Sequence, residues 1–278
     1  MAKVSGILMT SHVPLIGKAI HEGLQNEPYW QPFFEGFKPV HEWLEKNPPD
    51  VIIACYNDHG LNFFLDKLPT FAIGTAPEYI SDDEGWGIPS MPKFPGAEDL
   101  SWHIRDNLVR DEFDMVSCQE MLVDHSITLP MALMWPDQKW RAPLVPICIN
   151  TVLTPLPSPS RCYRLGEAIG RAIASYPEDL NVLLIGSGGL SHQLEGERAG
   201  HINQPFDKQF MASMADDPKW ATQFSDIDLI EQVGNEGVEL INWLAARGAV
   251  PGQVRVLHSS YHIPISNTAA AVMLMEPV

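Results

Sequence analysis

Basic residues are scarce in this chain: 18 Lys and Arg stand against 35 Asp and Glu, a formal net charge of −17. That balance disfavours contact with nucleic-acid phosphates and with anionic lipid headgroups, so neither nucleic acid nor a membrane is an expected partner. It also gives no long-range steering to an anionic substrate, which would need a local positive centre such as a metal or an arginine. No apolar run approaches the length of a membrane span, and Met1-Ala2-Lys3-Val4 opens no long apolar leader region. The four cysteines, Cys55, Cys118, Cys148 and Cys162, contain no C-x-x-C pair. This fits a reducing compartment, and Cys55 and Cys148 lie in apolar runs where free cysteine serves as a small core residue. The expectation is a cytoplasmic protein. Repeats, low-complexity tracts and linker-like composition are also missing, so residues 1–278, 45% hydrophobic, read as one domain.

Several local catalytic signatures are absent too. The glycine-rich turn Gly186-Ser187-Gly188-Gly189-Leu190-Ser191-His192 holds Ser191 where a dinucleotide fingerprint needs its third glycine, and it lacks the Gly-Lys-Ser/Thr ending of a P-loop. It is not a nucleophile elbow, because no glycine lies two residues before Ser187. H-E-x-x-H does not occur. These glycines read instead as a tight turn that brings His192 inward.

What is present is an alternation of strand-length apolar runs with helical stretches. Residues 4–9, 51–56, 144–149 and 181–185 read as strands, with further ones at 112–117, 254–259 and 269–275. Pro146 suggests that its strand lies at an edge or carries a bulge. Helical spacing runs over 16–24, over one stretch from Tyr29 through Val40, Trp43 and Leu44, over 100–109, 161–174 and 206–214, and over 229–247, where Gly248 is a stop. Another helix follows Asp124-His125-Ser126, with Pro130 in its first turn. Strand, helix and strand in succession build a sheet with covered faces, an α/β class. Residues 60–100 carry many prolines and little periodicity, a long excursion over the strand ends. Within it, the glycine-flanked Trp86 reads as a packed loop anchor.

Three strand-like runs end near a histidine: residues 6–9 before His12, 51–56 before His59, and 182–185 before His192. One metal site is the simplest common purpose. Two neutral imidazoles and one carboxylate on a metal leave open positions for substrate and dioxygen, as in non-haem iron(II) enzymes. His12 and His59 are the best imidazoles. The carboxylate stays open at this point. Asp58 adjoins His59, but neighbouring side chains in an extended turn point apart, so Asn57 and Asp58 read as groups that orient His59. Glu236 and Glu239 lie in an apolar helical stretch, where a buried carboxylate needs a partner.

Thr10-Ser11-His12-Val13-Pro14, Tyr56-Asn57-Asp58-His59, Asp83-Glu84-Gly85-Trp86-Gly87, Asp111-Glu112-Phe113-Asp114-Met115, Asp124-His125, Gly188-Gly189-Leu190-Ser191-His192-Gln193, Glu236-Gly237-Val238-Glu239-Leu240 and Tyr261-His262-Ile263-Pro264-Ile265-Ser266-Asn267-Thr268 occur in one register along almost the whole chain. Together they resemble the LigB-type extradiol ring-cleaving dioxygenases, the family of the protocatechuate 4,5-dioxygenase beta subunit. The resemblance implies a single-domain α/β sandwich with a mixed central sheet and helices on both faces. It implies Fe(II) held by His12, His59 and Glu239, with His192 as acid/base and His125 as a hydrogen-bonding residue of the pocket. Ser266 and Asn267 match positions that line the substrate pocket.

The implied reaction is extradiol cleavage of a catecholic acid such as protocatechuate by O2, giving a carboxy-hydroxymuconate semialdehyde. Gallate, 3-O-methylgallate or another substituted catechol is the alternative, and a non-catalytic binding protein on the same fold is the rival of a different class. The family also implies a lid over the site, from a small alpha-type subunit or a fused segment. This chain ends at Val278 without such a segment, so a separate lid, a neighbouring protomer in a homo-oligomer, or a more open site is expected. Gly60-Leu61-Asn62 after His59 departs from the family pattern and is expected to loosen the rim.

Overall fold

The computed structural model describes residues 1–263 and 267–278. In chain order the strands are β1 (Lys3–Thr10), β2 (Val51–Tyr56), β3 (Phe71–Gly74), β4 (Glu78–Ser81), β5 (Phe94–Pro95), β6 (Met115–Cys118), β7 (Leu122–Val123), β8 (Leu144–Ile149), β9 (Asn181–Ser187), β10 (Val254–His262) and β11 (Ala270–Pro277). The helices are α1 (Pro14–His21), α2 (Gln31–Glu35), α3 (Lys38–Lys46), α4 (Glu98–Arg110), α5 (His125–Met134), α6 (Pro159–Ser175), α7 (Gln204–Asp216), α8 (Asp226–Val233) and α9 (Ile241–Gly248).

Eight strands form one sheet in the order β10-β11-β1-β9-β2-β8-β3-β6, and β5-β4-β7 form a small second one. The middle of the large sheet, β1, β9, β2 and β8, is parallel, while β11 and β3 flank it antiparallel, so the sheet is mixed. Its strands are apolar on both faces because both are covered. In β2 the alternation sends Val51, Ile53 and Cys55 to one core, with α4, α6 and α9. Ile52, Ala54 and Tyr56 go to the other, with α1, α3 and α5. Each fully buried aliphatic side chain in these layers contributes roughly 1.5–3 kcal/mol relative to exposure. No helix among the described residues is long and apolar enough to cross a membrane.

Several elements differ from expectation for identifiable reasons. The aromatic stretch after Tyr29 makes two helices, α2 and α3, because Pro39 has no N–H to give the carbonyl of Glu35 and fits only the first turn of a new helix. The long helix expected over 229–247 is broken: Gly234, at φ +95°, ends α8, and a 3-10 turn over Gly237–Leu240 precedes α9. Residues 60–100 are not a plain excursion, since β3 joins the main sheet there. Pro146 lies in an interior strand, not an edge. Pairing of β8 with β3 stops at Ile147, and Gly74 leaves room for the proline ring, since a Cβ there would lie 2.6 Å from its Cγ.

The parallel strands end side by side, with Thr10 opposite Ser187 and Cys55 opposite Gly186. The carboxyl ends of such strands open a crevice where α/β sheets place ligands. Here they deliver the His12 loop, the His59 loop and the turn leading to His192. Helix α9 is drawn against α6 at glycines: a Cβ on Gly166 would lie 2.1 Å from the Ala245 carbonyl oxygen. That close packing fixes the 3-10 turn carrying Glu239, which leads directly into α9.

Candidate active site

His12 follows β1 and is buried. Its Nδ1 lies 2.9 Å from the hydroxyl of Ser187, the last residue of neighbouring β9. That hydroxyl already donates to the Ser126 carbonyl at 2.5 Å, so it accepts from His12 Nδ1–H. His59 follows β2, and its Nδ1 lies 3.0 Å from Asp124 Oδ2, which also accepts the His59 backbone N–H at 2.7 Å. A carboxylate only accepts, so the proton of His59 is on Nδ1 as well. Both Nε2 lone pairs are thereby turned to one place.

Glu239 occupies that place. Its Oε2 is 3.2 Å from His12 Nε2 and its Oε1 is 3.2 Å from His59 Nε2, and the residue is 6% exposed. The Asn57 amide donates to Oε1 at 2.9 Å, and the Gly189 N–H to Oε2 at 3.1 Å. Asn242 donates in turn to the Asn57 side-chain oxygen at 3.1 Å. Gly188, at φ +125°, is required, since a Cβ there would fall 2.6 Å from Glu239 Cβ. Two imidazole lone pairs and a carboxylate converge with no proton assigned between them, an arrangement that calls for a cation.

Burial alone would raise the Glu239 pKa, but His12 and His59 hold it well below the carboxylate range. Burial opposes protonation of His59, yet Asp124 and Glu239 raise its pKa well above the usual imidazole value. Asp124, buried at the start of α5, is held low by His59 and His125 despite its burial.

His125 opens α5 with its ring against that of His59, centroids 4.1 Å apart. Its backbone N–H and Nδ1 both meet Glu84, at 2.7 and 2.5 Å. The imidazoles of His12, His59 and His125 each offer a nitrogen within 4.8 Å of the others. His192 pairs with Thr268 across an isolated bridge. A cavity of about 520 Å3 joins these groups, lined by His12, His59, His125, His192, Glu239 and Asn267, with Leu15, Trp86, Val152 and Leu194 as apolar walls. Asn267 stands at φ +58°. Ser266 lies outside the described residues.

Some expectations are corrected. Asp58 does not orient His59. It caps the following turn, accepting from the backbone N–H groups of Gly60, Asn62 and Phe63. Asp124 does that work while its other oxygen caps α5 by accepting the Ser126 N–H; in the sequence it stands only as the residue before a helix and as part of the Asp124-His125 motif. Trp86 is not a packed anchor: it is 54% exposed at the cavity, on a turn where Gly85 and Gly87 both take positive φ. Glu84 and Ser187 lie inside the runs 83–87 and 186–192, though neither had a role there, and Asn242 carried no motif. Gly60, at φ +94°, has open space beside it.

Comparison with known proteins places this geometry in context. The family model for the catalytic LigB subunit of aromatic ring-opening dioxygenase matches residues 6–273. A gallate dioxygenase of Pseudomonas putida is 40% identical over 195 residues, 70% of this chain, and the chain spans 57% of that protein's length. A 2,3-dihydroxyphenylpropionate/2,3-dihydroxicinnamic acid 1,2-dioxygenase of Photorhabdus laumondii is 31% identical, covering 81% of this chain and 67% of the relative. An uncharacterized protein of Escherichia coli K12 shares the fold, with a TM-score of 0.61 at 12% identity over 97% of this chain and 99% of that one. The chain belongs to the LigB family, the catalytic subunits of aromatic ring-opening dioxygenases.

Proposed function

We propose that this protein is a non-haem iron(II) extradiol dioxygenase that opens the ring of a catecholic aromatic acid with O2. The observation that carries the reading is the convergence of His12 Nε2, His59 Nε2 and the two Glu239 oxygens at 3.2 Å on the cavity floor. The donor set fits the metal: both outer imidazole nitrogens are occupied, by Ser187 and Asp124, and two imidazoles with one carboxylate leave open positions. His125 is the less suitable third ligand, because its ring lies against that of His59 and its Nδ1 is held by Glu84. Iron(II) bound there supplies a chelation site for two adjacent catechol oxygens and a route for ring electrons to dioxygen.

The chain's own residues do the rest. His192 takes the remaining catechol proton and returns it later as an acid. Burial holds its pKa below the ordinary imidazole value, although Glu239 and Glu236 oppose this, so a neutral ring is available at neutral pH. Glu84 keeps the His125 proton on Nδ1, which leaves the Nε2 lone pair to accept from a substrate hydroxyl. Trp86, Leu15, Val152 and Leu194 offer the ring apolar walls. Asn267 and Ser266 are the substrate-binding residues of this reading.

The carboxy-hydroxymuconate semialdehyde of protocatechuate cleavage is one product of such a site. Gallate is the second reading, favoured by the 40% identity to the gallate dioxygenase. No lysine or arginine lines the cavity among the described residues, so a substrate carboxylate there meets neutral donors. The exposed apolar rim suits a cover, either a small alpha-type subunit or a neighbouring protomer of a homo-oligomer. A cytoplasmic setting fits the four free cysteines.

Oxygen uptake by protein reconstituted anaerobically with Fe(II), across protocatechuate, gallate, 3-O-methylgallate and 2,3-dihydroxyphenylpropionate, tests this reading. Uptake with at least one catechol is expected. None with any of them, alongside hydrolysis of an ester or amide, would overturn it.

A further inference from the structure

Asp207 is fully buried on α7, and nothing in the site described above uses it. One of its oxygens accepts both the backbone N–H of Ser191, at 3.1 Å, and the Ser191 hydroxyl, at 2.7 Å. Its other oxygen accepts the Tyr261 hydroxyl at 2.8 Å. A carboxylate in such a place is costly unless hydrogen-bonded, and its three donors all come from two residues.

Those two residues lead to neighbouring parts of the cavity wall, which bridge at His192 and Thr268. Ser191 precedes His192 directly. Tyr261 lies near the end of β10, where it pairs with Ala271 and His262 pairs with Ala270, just beyond Asn267 and Thr268. The two parts also meet through their backbones: the Leu190 N–H donates to the Ala269 carbonyl at 2.8 Å, and the Ala269 N–H to the Ser191 carbonyl at 2.9 Å. The His192 N–H, on its far side, donates to the Val233 carbonyl at 2.6 Å. The turn at 190–192 is thus strapped to residues 268–269 by backbone bonds and to β10 through a single buried side chain.

We propose that Asp207 is a positioning residue that ties the His192 turn to β10, and through β10 to the Asn267–Thr268 wall, so that the acid/base and the substrate-binding wall keep one mutual placement. The proposal rests on the dioxygenase reading for what that placement serves. Remote misplacement of a reacting group by about 1 Å costs on the order of 100-fold in rate. The tie therefore acts on turnover without touching substrate.

Hydrogen–deuterium exchange and steady-state kinetics on the full chain test it. In Asp207→Ala, amide exchange at 188–194 and 267–270 should quicken about tenfold, with β2 and α6 unchanged. In the iron-loaded variant, kcat should fall roughly 10- to 100-fold at unchanged iron content. Asp207→Asn keeps an oxygen for Ser191 and should restore protection at 188–194. Tyr261→Phe cuts only the β10 arm and keeps the test open if the alanine variant fails to fold; it should quicken exchange at 267–270 and lower kcat about fivefold at unchanged iron content. Exchange that rises uniformly or only in α7, or kcat unchanged in a chain with a loosened turn, would overturn the proposal. So would a Tyr261→Phe variant with unaltered kcat and exchange. The exchange measurement needs neither metal nor substrate, so wild-type inactivity toward every catechol would sink the dioxygenase reading while exchange still decides the tie.

Discussion

Glu84 grips His125 twice, with one oxygen 2.7 Å from its backbone N–H and the other 2.5 Å from Nδ1. The carboxylate belongs to the same turn that carries Trp86 to the cavity. One loop therefore sets both the ring of a substrate-facing histidine and an apolar wall. Glu84→Gln replaces half of the grip with an amide that can donate, so the His125 tautomer is no longer fixed. We expect kcat to fall about tenfold, on the scale of a charge-assisted hydrogen bond. Iron content should be unchanged, and kcat equal to wild type would show that Glu84 has no such role.

The assignment of Glu239 over Glu236 is checked by metal content. Glu239→Ala removes the carboxylate that meets both Nε2 atoms, and iron retention should be lost. Glu236 sits aside, its Oε2 accepting the Leu194 N–H at 3.0 Å, so Glu236→Ala should retain iron. Equal iron in the two variants defeats the assignment.

Asp124 acts on the metal through His59. Asp124→Asn keeps the helix cap to the Ser126 N–H and weakens the hold on His59 Nδ1. Iron affinity should fall about 10- to 100-fold, the range for a lost outer partner of a metal-ligating histidine. Competition against a chelator measures it, and undiminished affinity would mean that Asp124 serves only the helix.

His192→Ala should still bind iron and substrate, with kcat lowered roughly 100- to 10,000-fold as for loss of a general acid/base. The pH dependence follows from burial. Because the pKa of His192 lies below the ordinary imidazole value, its base form persists into mild acid. The acid limb of kcat/KM is therefore expected below the usual imidazole range, with activity falling as pH drops through it. A variant that turns over fully, or that keeps the same limb, points to another base.

What could be read from the sequence was the set of groups that end apolar runs. Residues 51–56 stop abruptly at Asn57, and that pattern placed His59 at a strand end; the same logic placed His12. Glu239 could not be chosen from spacing, because its turn comes to the site only when α9 packs on α6 through Gly166. Resemblance picked it out. Asp124 reads in the sequence only as preceding a helix; it caps that helix, and its second oxygen faces His59, a contact made between residues 65 positions apart. β3 was missed because four residues between proline-rich stretches carry too little periodicity. Gly234 broke the helix expected over 229–247, and that break is what frees the turn carrying Glu239 to face the strands.

Cleavage of the ring with dioxygen leaves a signature that no hydrolase or binding protein produces. The most direct measurement is mass spectrometry of the product formed by the iron-loaded protein from its best catechol under 18O2. The account predicts one ring-opened product carrying both labelled oxygen atoms. A product with one labelled atom or none, or an intact ring, would contradict it.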